Sequence, residues 1–362
     1  ENKMNKDQRE AYEACCKEID AYKKAQASGK RYRGNPIFIT GPGGTGKSFL
    51  LRALRLKIHK ELHEDLKDQT SVVLAPTGCA AINVEGDTIH HGLSLPIQQA
   101  RATVDYCLSN KKLQKMKNTY EKTHAFLFDE VSMISSNQLY QIDGRLRAIT
   151  GVVEPDVFYG GLLTFWFGDL RQLRPICAPK PYEDAKTWAV GAAAAGVHLW
   201  RDTMLVHPLT IIERQKGDQE FAELLNRVRQ GHHKDADMET LNGRIMGKGP
   251  GLEKAAEDPE VRDALHLYPT NAAVDAHNEG RLKKLLQEEM GKARAEGRDP
   301  NGPGVQLYIK ATDDFDKDCK MTKKDYKGDF EKQLPQDKDR TGGLPQSLHH
   351  GRGRPVMQRR NV

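Results

Sequence analysis

The sequence lacks the features that define membrane, secreted and metal-stabilised proteins. It has no run near the roughly 18 apolar residues of a membrane span, and its start shows no secretory signal. The missing span predicts no membrane partner. The six cysteines form no C-x-x-C pair or disulfide framework, which predicts free thiols in an intracellular protein. Six of its 13 histidines form three pairs of sequence neighbours, whose rings point in different directions, so we expect no structural zinc site.

The amino-acid composition is typical of a globular protein. Of 362 residues, 38% are hydrophobic and 29% are charged, which is ample for a core and suggests about two domains. Fifty-six basic residues against 50 acidic ones give a formal charge of +6, a mild preference for polyanions.

The dominant pattern is a glycine-rich loop between a predicted strand (36–40) and a predicted helix (49–58). Glycines let successive backbone N–H groups converge on one anion, and the helix adds its positive dipole end. In this motif the lysine reaches the β- and γ-phosphates and the final hydroxyl ligates Mg²⁺. A simple turn before a helix would not need all eight positions, so we predict a nucleoside triphosphate site with Mg²⁺. The loop consists of Gly41, Pro42, Gly43, Gly44, Thr45, Gly46, Lys47 and Ser48.

A second pattern places two carboxylates after a buried strand. Residues 125–128 are apolar and are followed by Asp129 and Glu130. In a phosphate-loop enzyme the first carboxylate holds the Mg²⁺ shell and the second orients or deprotonates the attacking water. We assign those roles to Asp129 and Glu130.

Further predicted strands cover 71–78, which ends in a turn, and 162–169, and their carboxyl ends carry polar residues at the edge where open α/β sheets bind ligands. Gln172 leaves that edge and could sense the γ-phosphate. Gln8 lies in a predicted opening helix over 5–27, either as a solvated polar residue or as a reader of adenine. The basic run over 100–122 fits a solvated helix face or a nucleic-acid contact, and both interpretations stay open.

In the second half of the sequence, the patterns that predict helices and strands are weaker. We expect a domain boundary near 205–208, a strand over 265–271, a helix over 272–289 and a loop over 290–304. The stretch 312–341 is dominated by lysine and aspartate and predicts mobility.

Together these stretches resemble the petite-integration-frequency (PIF) family of superfamily-one DNA helicases, which is related to RecD and includes helicase regions of Helitron-type transposons. The resemblance runs from about residue 4 to the end and is densest before residue 215. Besides the phosphate loop, it rests on Asn5 to Gln8, Ala75 to Ala81, Thr88 to His90, Asp129 to Met133, Gly168 to Leu173, Arg214-Gln215, Pro269 to Asn271 and Pro355 to Met357.

The resemblance implies an α/β fold of the RecA-like P-loop NTPase type, a parallel sheet flanked by helices, with a second, partial RecA-like lobe. It implies a first lobe over 1–207, carrying a small basic insertion at 92–124 beside the DNA track. It also implies an incomplete second lobe over 208–362, with a mobile stretch at 290–345.

The resemblance also assigns residues that spacing alone would not. It implies that Gln8 reads adenine, that Gln172 couples the γ-phosphate to DNA, and that Arg214 is an arginine finger. The positions implied to contact DNA are Thr77, Thr88, His90, Thr270 and Asn271.

The function implied is an ATP-dependent DNA helicase that moves five-prime to three-prime on single-stranded DNA and unwinds forked duplexes. Expected roles are DNA repair, recombination or telomere maintenance, as a monomer in the nucleus or the mitochondrion. The alternatives are a helicase-derived DNA-binding remnant of a mobile element, against which Lys47, Asp129 and Glu130 argue, and another P-loop ATPase motor, against which 168–172 argues.

Two departures from the family pattern bear on activity. The pattern continues past Asn361, so we expect a C-terminally truncated helicase that binds ATP with Mg²⁺ and hydrolyses it poorly alone. His91 stands where serine is common, and Arg174 where an apolar residue is usual.

Overall fold

The computed structural model describes residues 3–63, 65–96, 108–176, 178–183, 191–214, 217–243 and 264–302, and the strands 306–310 and 347–351. The chain divides into two compact units, Glu1–Arg244 and Ile245–Val362. The first compact unit therefore extends past the boundary expected near 205–208. The assignment of RecA-like lobes to 1–207 and 208–362 stays a prediction.

A six-stranded, fully parallel sheet forms the centre of the first unit. Its spatial order is β3-β2-β4-β5-β1-β6. This confirms the predicted parallel sheet of the α/β class. In chain order the strands are β1 (Ile37–Thr40), β2 (Ser71–Ala75), β3 (Asp87–Thr88), β4 (Ala125–Phe128), β5 (Leu163–Gly168) and β6 (Leu205–Pro208).

Helices cover the sheet, so its central strands β4 and β5 are buried along their whole length and are largely apolar, with Thr164 as the polar exception. The helices of this unit are α1 (Lys6–Ala27), α2 (Lys47–Leu62), α3 (Gly78–Asn83), α4 (Ile89–Gly92), α5 (Asn110–Thr119), α6 (Ser136–Thr150), α7 (Ala192–Thr203), α8 (Gln219–Gln230) and α9 (Asp235–Asn242). Short 3-10 helices span Val131–Met133 and Phe158–Gly161.

The two faces of the sheet carry separate cores because side chains alternate along each strand. Ile37 and Ile39 of β1 pack into one core with α1 and α2, while Phe38 packs into the other with α6 and α7. In that second core Phe128 stacks on Trp166, with ring centroids 4.0 Å apart. These aromatic contacts hold β4 against β5, and so fix the relative positions of the polar residues that follow the two strands.

The neighbouring pairs β1–β5 and β4–β5 bring three loops together. Thr40 is in register with Gly168, and Phe128 with Trp166. The phosphate loop, the Asp129-Glu130 pair and Asp169 therefore all leave the sheet at its carboxyl edge, where open parallel sheets bind ligands.

In the second unit, the described residues form helix α10 (Asn271–Ala295) and an antiparallel pair, β7 (Gln306–Lys310) with β8 (Ser347–Gly351). The helix continues beyond the 272–289 expected, so residues 290–295 are not loop. The strand expected over 265–271 is wrong: Leu265 and Leu267 are 89% and 87% exposed and pair with no strand among the described residues.

Parts of several predictions lie outside the described residues. These parts are 97–107 of the basic insertion, Gln215, Pro355 to Met357, and 303–305 and 311–345 of the expected mobile stretch.

The opening helix agrees with the sequence analysis. The helix expected over 5–27 is α1, and Asn5 caps it through reciprocal hydrogen bonds with Gln8. The edge strand β6, by contrast, occupies the stretch expected to be a domain boundary.

Candidate active site

The phosphate loop joins β1 to α2 through two residues in the left-handed region, Gly44 and Gly46, each with φ of 86°. Thr45 is buried, and its hydroxyl donates to the Pro42 carbonyl at 3.0 Å, which closes the loop on itself. Gly46 caps α2 without a side chain, so no side-chain hydrogen bond occupies its first backbone amides. Open amides at the positive end of a 16-residue helix suit an anion.

Lys47 turns back over this loop. Its Nζ donates to the carbonyls of Gly41 at 2.7 Å and Pro42 at 3.0 Å. Burial lowers the pKa of the ammonium, and the nearby carboxylates oppose that shift without cancelling it. Those carboxylates, in decreasing order of effect, belong to Asp169, Glu130 and Asp129. The negative charges of these three residues, which follow β4 and β5, therefore all act on the Lys47 ammonium.

Asp129 and Glu130 follow β4 in a tight arrangement. The Asp129 amide extends the sheet by donating to the Leu74 carbonyl at 2.9 Å, and its carboxylate accepts from the Glu130 amide at 3.0 Å. Glu130 adopts φ 51° and ψ 45°, a left-handed conformation that costs a non-glycine residue about 1 kcal/mol or more. Such strain persists where surrounding contacts fix the residue, and it is concentrated at functional sites.

The pKa values of both carboxylates are raised. Burial is the main cause for Asp129, and for Glu130 burial is joined by the charge of Asp129. Asp129 lies 8% exposed, while Glu130 is half-buried. A carboxylate with a raised pKa is a better proton acceptor near neutral pH, which suits a general base.

Asp169 begins the turn after β5. Its carboxylate accepts from the Arg171 amide at 3.1 Å, and its carbonyl accepts from the Gln172 amide at 2.9 Å. Gln172 is exposed at this turn. The turn leaves the sheet on the same edge as the phosphate loop, as the sequence predicted for Gln172.

Gln8 is buried against the phosphate loop, 3% exposed. Its Nε2 donates to the Thr45 carbonyl at 2.9 Å, and its Oε1 accepts from the Asn5 amide at 3.2 Å. The interpretation of Gln8 as a solvated polar residue is therefore wrong. Its predicted contact with adenine stays a prediction.

The segment after β6 is tied to the same region. The Gly44 carbonyl accepts from the amides of Glu213 at 2.8 Å and Arg214 at 3.2 Å. Asp7 accepts from Thr210 through both its amide, at 2.7 Å, and its hydroxyl, at 2.6 Å. The Arg214 backbone thus touches the phosphate loop, while its side chain is exposed.

The residues predicted to contact DNA have structural roles as well. Thr77 follows β2 and Thr88 ends the neighbouring strand β3. Each hydroxyl caps the next helix, α3 or α4, by accepting from the amide three residues later at 3.3 Å. His90 lies 3.4 Å from Gln138, measured between their Nε2 atoms, and burial lowers its pKa. In the second unit, Thr270 caps α10, which starts at Asn271.

The oxygen ligands at this edge of the sheet suit a Mg²⁺ ion that is also bound by the phosphates of a nucleotide. The Asp129 carboxylate and the Ser48 hydroxyl are hard oxygen ligands, and Mg²⁺ is usually held by one or two such groups plus phosphates and water. Among the described residues, no group of three or more histidines, cysteines or acidic residues could hold a metal by itself. No helix in the described ranges is long and apolar enough to cross a membrane.

Comparison with known families agrees with this geometry. The family model described as PIF1-like helicase matches residues 3–239, more than half of the chain. The chain belongs to the PIF1-like helicase family. As a PIF1-like protein, it is 30% identical over 260 residues to the ATP-dependent DNA helicase PIF1 of Emericella nidulans, covering 71% of this chain and 32% of that one.

Solved PIF1 structures have the same fold. Candida albicans Pif1 helicase aligns with a TM-score of 0.61 at 20% identity, covering 96% of this chain and 63% of that chain. Bacteroides Pif1 bound to single-stranded DNA aligns with a TM-score of 0.50 at 25% identity, covering 68% and 53% of the respective chains. The RecA-like expectation is confirmed. This PIF1-like chain spans about a third of the curated relative's length.

Two parts of this PIF1-like site were not predicted. Arg229 of α8 donates to both carboxylate oxygens of Asp169, at 2.7 and 2.5 Å. Asn5 donates to the Glu213 carboxylate at 2.7 Å. The residues lie 60 and 208 positions apart, so only the folded chain brings them together.

Proposed function

We propose that this chain carries the ATPase site of an ATP-dependent DNA helicase that uses ATP hydrolysis to move along single-stranded DNA. The observation that carries the proposal is the convergence of Lys47, Asp129 and Glu130 at one sheet edge, beside a loop with open amides. Membership of the PIF1-like family supports the same conclusion.

The loop would hold the triphosphate. Its amides and the first turn of α2 would contact the phosphate oxygens, and Lys47 would exchange the carbonyls of Gly41 and Pro42 for the β- and γ-phosphates. That exchange replaces hydrogen bonds from the ammonium to neutral carbonyls by hydrogen bonds to charged phosphate oxygens, in which both partners are ionised. Gln8, already at the loop, is the residue we propose for contact with the adenine.

The two carboxylates after β4 would have different roles in ATP hydrolysis. Asp129 and Ser48 are the residues that would hold Mg²⁺, which when bound neutralises charge on the phosphates. Glu130 would accept a proton from the attacking water, a role supported by its raised pKa and fixed, strained backbone. Gln172 and Arg214 are the residues we propose to contact the γ-phosphate side.

DNA would lie near the caps of α3 and α4. Thr77, Thr88 and His90 are our proposed contacts in the first unit, and Thr270 and Asn271 those in the second. Bacteroides Pif1 is bound to single-stranded DNA, which supports the same ligand here. We infer five-prime to three-prime movement, forked duplexes as substrates, action as a monomer, and roles in repair, recombination or telomere maintenance in the nucleus or the mitochondrion.

The test compares ATP hydrolysis by the wild type and Lys47→Ala, each with and without single-stranded DNA. We expect DNA to stimulate the wild type and the stimulation to disappear in Lys47→Ala. Hydrolysis indifferent to DNA would favour another kind of P-loop motor. DNA binding without any hydrolysis would favour a helicase-derived binding remnant.

A further inference from the structure

Helix α8 carries two arginines that each form a bidentate ion pair with an aspartate. Arg229 donates through Nε and Nη2 to Asp169, at 2.7 and 2.5 Å. Arg227 donates through the same two atoms to Asp237 of α9, at 2.9 and 2.6 Å. The pairs share helix, chemistry and geometry, but only the first involves a residue at the phosphate-loop edge.

Asp169 is 1% exposed, and its place in the sheet puts it beside the phosphate loop. Thr40 of β1 is in register with Gly168 of β5, and the Gly41 amide donates to the Gly168 carbonyl at 3.3 Å. Asp169 and Gly41 are thus the next residues on neighbouring strands. Since the Lys47 ammonium is hydrogen-bonded to the Gly41 carbonyl at 2.7 Å, Asp169 lies in its immediate surroundings.

A buried carboxylate at this position would attract the lysine. Leaving a buried charge unpaired is costly, so Asp169 without Arg229 would take the nearest available cation. Among the charges acting on Lys47, that of Asp169 is the strongest attraction. An ammonium held by a carboxylate would be less available to the phosphates.

We propose that Arg229 is a positioning residue of the nucleotide site: by occupying both oxygens of Asp169, it keeps Lys47 free to bind the triphosphate. The inference rests on the proposed function. Arginine suits the task because its planar fork satisfies both carboxylate oxygens at once, whereas lysine offers a point charge. In this arrangement Lys47 rests on two carbonyls that phosphate oxygens readily replace.

The same contact also steadies the turn that carries Gln172. Asp169 accepts from the Arg171 amide at 3.1 Å and from the Gln172 amide at 2.9 Å, and Arg229 anchors Asp169 to α8. Arg229 therefore connects the helix that follows the Arg214 segment to the turn at the carboxyl edge of β5.

The experiment measures the Kd for ATP with Mg²⁺ by calorimetry, using the full chain and the variants Arg229→Gln, Arg229→Gln/Asp169→Asn, Arg227→Gln and Lys47→Ala. We expect Arg229→Gln to weaken ATP binding about tenfold or more, the double variant to bind within about threefold of the wild type, and Arg227→Gln to bind like the wild type. Recovery in the double variant distinguishes release of Lys47 from mere loss of an ion pair.

Three results would overturn the inference. They are wild-type affinity in Arg229→Gln, equal weakening in Arg227→Gln, and a double variant as weak as Arg229→Gln. If Arg229→Gln does not fold, the double variant decides, since it leaves no buried charge unpaired: affinity near wild type supports the inference and affinity as weak as Lys47→Ala refutes it. A wild type that binds no ATP would instead overturn the proposed function, and this inference with it.

Discussion

The side-chain amide of Gln8 fills the space that a β-carbon on Gly46 would need. A β-carbon there would lie 2.3 Å from Gln8 Nε2, which donates to the neighbouring Thr45 carbonyl. Gly46 also has φ of 86°, a conformation that other residues rarely adopt. Glycine is thus required at this position for two independent reasons, and the opening helix is locked to the phosphate loop.

Gly46→Ala should therefore lower the free energy of unfolding by about 1–3 kcal/mol, from left-handed backbone strain and displacement of Gln8. Urea unfolding measures this directly. Gly43→Ala is the matched control for stability, because a β-carbon at Gly43 meets open space in the same loop. Equal stability of the two variants would contradict the role of the Gln8 contact.

The Asp7 carboxylate should hold the segment that leads to Arg214 against α1. It accepts from the Thr210 amide and hydroxyl and from the Ile211 amide at 3.3 Å, and these hydrogen bonds lower its pKa. We expect Asp7→Ala to speed amide hydrogen exchange over 209–214 by tenfold or more, at roughly 1.4 kcal/mol of local stability. Glu13→Ala removes an exposed carboxylate from the same helix and should leave that exchange unchanged.

The hydroxyl of Thr88 should serve both the fold and the DNA contact. Thr88→Ala removes the cap of α4 and should cost about 1 kcal/mol of stability, while Thr88→Ser keeps a capping oxygen and should cost less. Affinity for a labelled oligo-dT strand, measured well below the unfolding temperature, should fall in the alanine variant and not in the serine variant. Unchanged affinity in both would remove Thr88 from the proposed DNA contacts.

Acidification should weaken the Asp169–Arg229 pair. Burial alone would raise the pKa of Asp169, but hydrogen bonds from Arg229 and the Arg171 amide, with the charge of Lys47, hold that pKa below its ordinary value. Because the folded-state pKa is depressed, the stabilisation is complete above the ordinary aspartate pKa of about 4 and is lost as pH falls through the lower folded value.

Arg229→Gln should lower the free energy of unfolding by about 1–3 kcal/mol at pH 7, less than a fully buried pair because the guanidinium is partly exposed. The difference from wild type should narrow as pH falls below the ordinary aspartate pKa of about 4 and through the lower folded-state pKa of Asp169. Unfolding curves between pH 3 and 8 measure it, with Asp169→Asn as the variant that lacks this titration. A difference independent of pH would contradict the assignment.

Local patterns made the central part of the site predictable. The glycine motif and the apolar run before Asp129 carry their geometry in short stretches, because a phosphate loop and a buried strand are built from consecutive residues. Capping likewise revealed the start of α1 at Asn5. These elements lie where the sequence placed them.

Contacts between distant residues were not predictable in the same way. Arg229 looks like any charged residue of a surface helix until α8 packs beside the turn after β5. The edge strand β6 is short, largely exposed and ends at Pro208, so its sequence resembles a linker; only its pairing with β1 identifies it. The opposite error occurred at 265–271. Its residues are typical of a strand, but no strand in the described part of the chain pairs with it.

The most direct test of the proposed ATPase is phosphate release at saturating ATP, with and without single-stranded DNA, by the wild type and Glu130→Gln. The glutamine variant keeps the size of the side chain and removes the base, so it should bind ATP with near wild-type affinity. Its turnover should nevertheless fall by about a hundredfold or more, with no response to DNA. We predict DNA-stimulated release by the wild type alone; equal release by both proteins, unaffected by DNA, would contradict the assignment of this site.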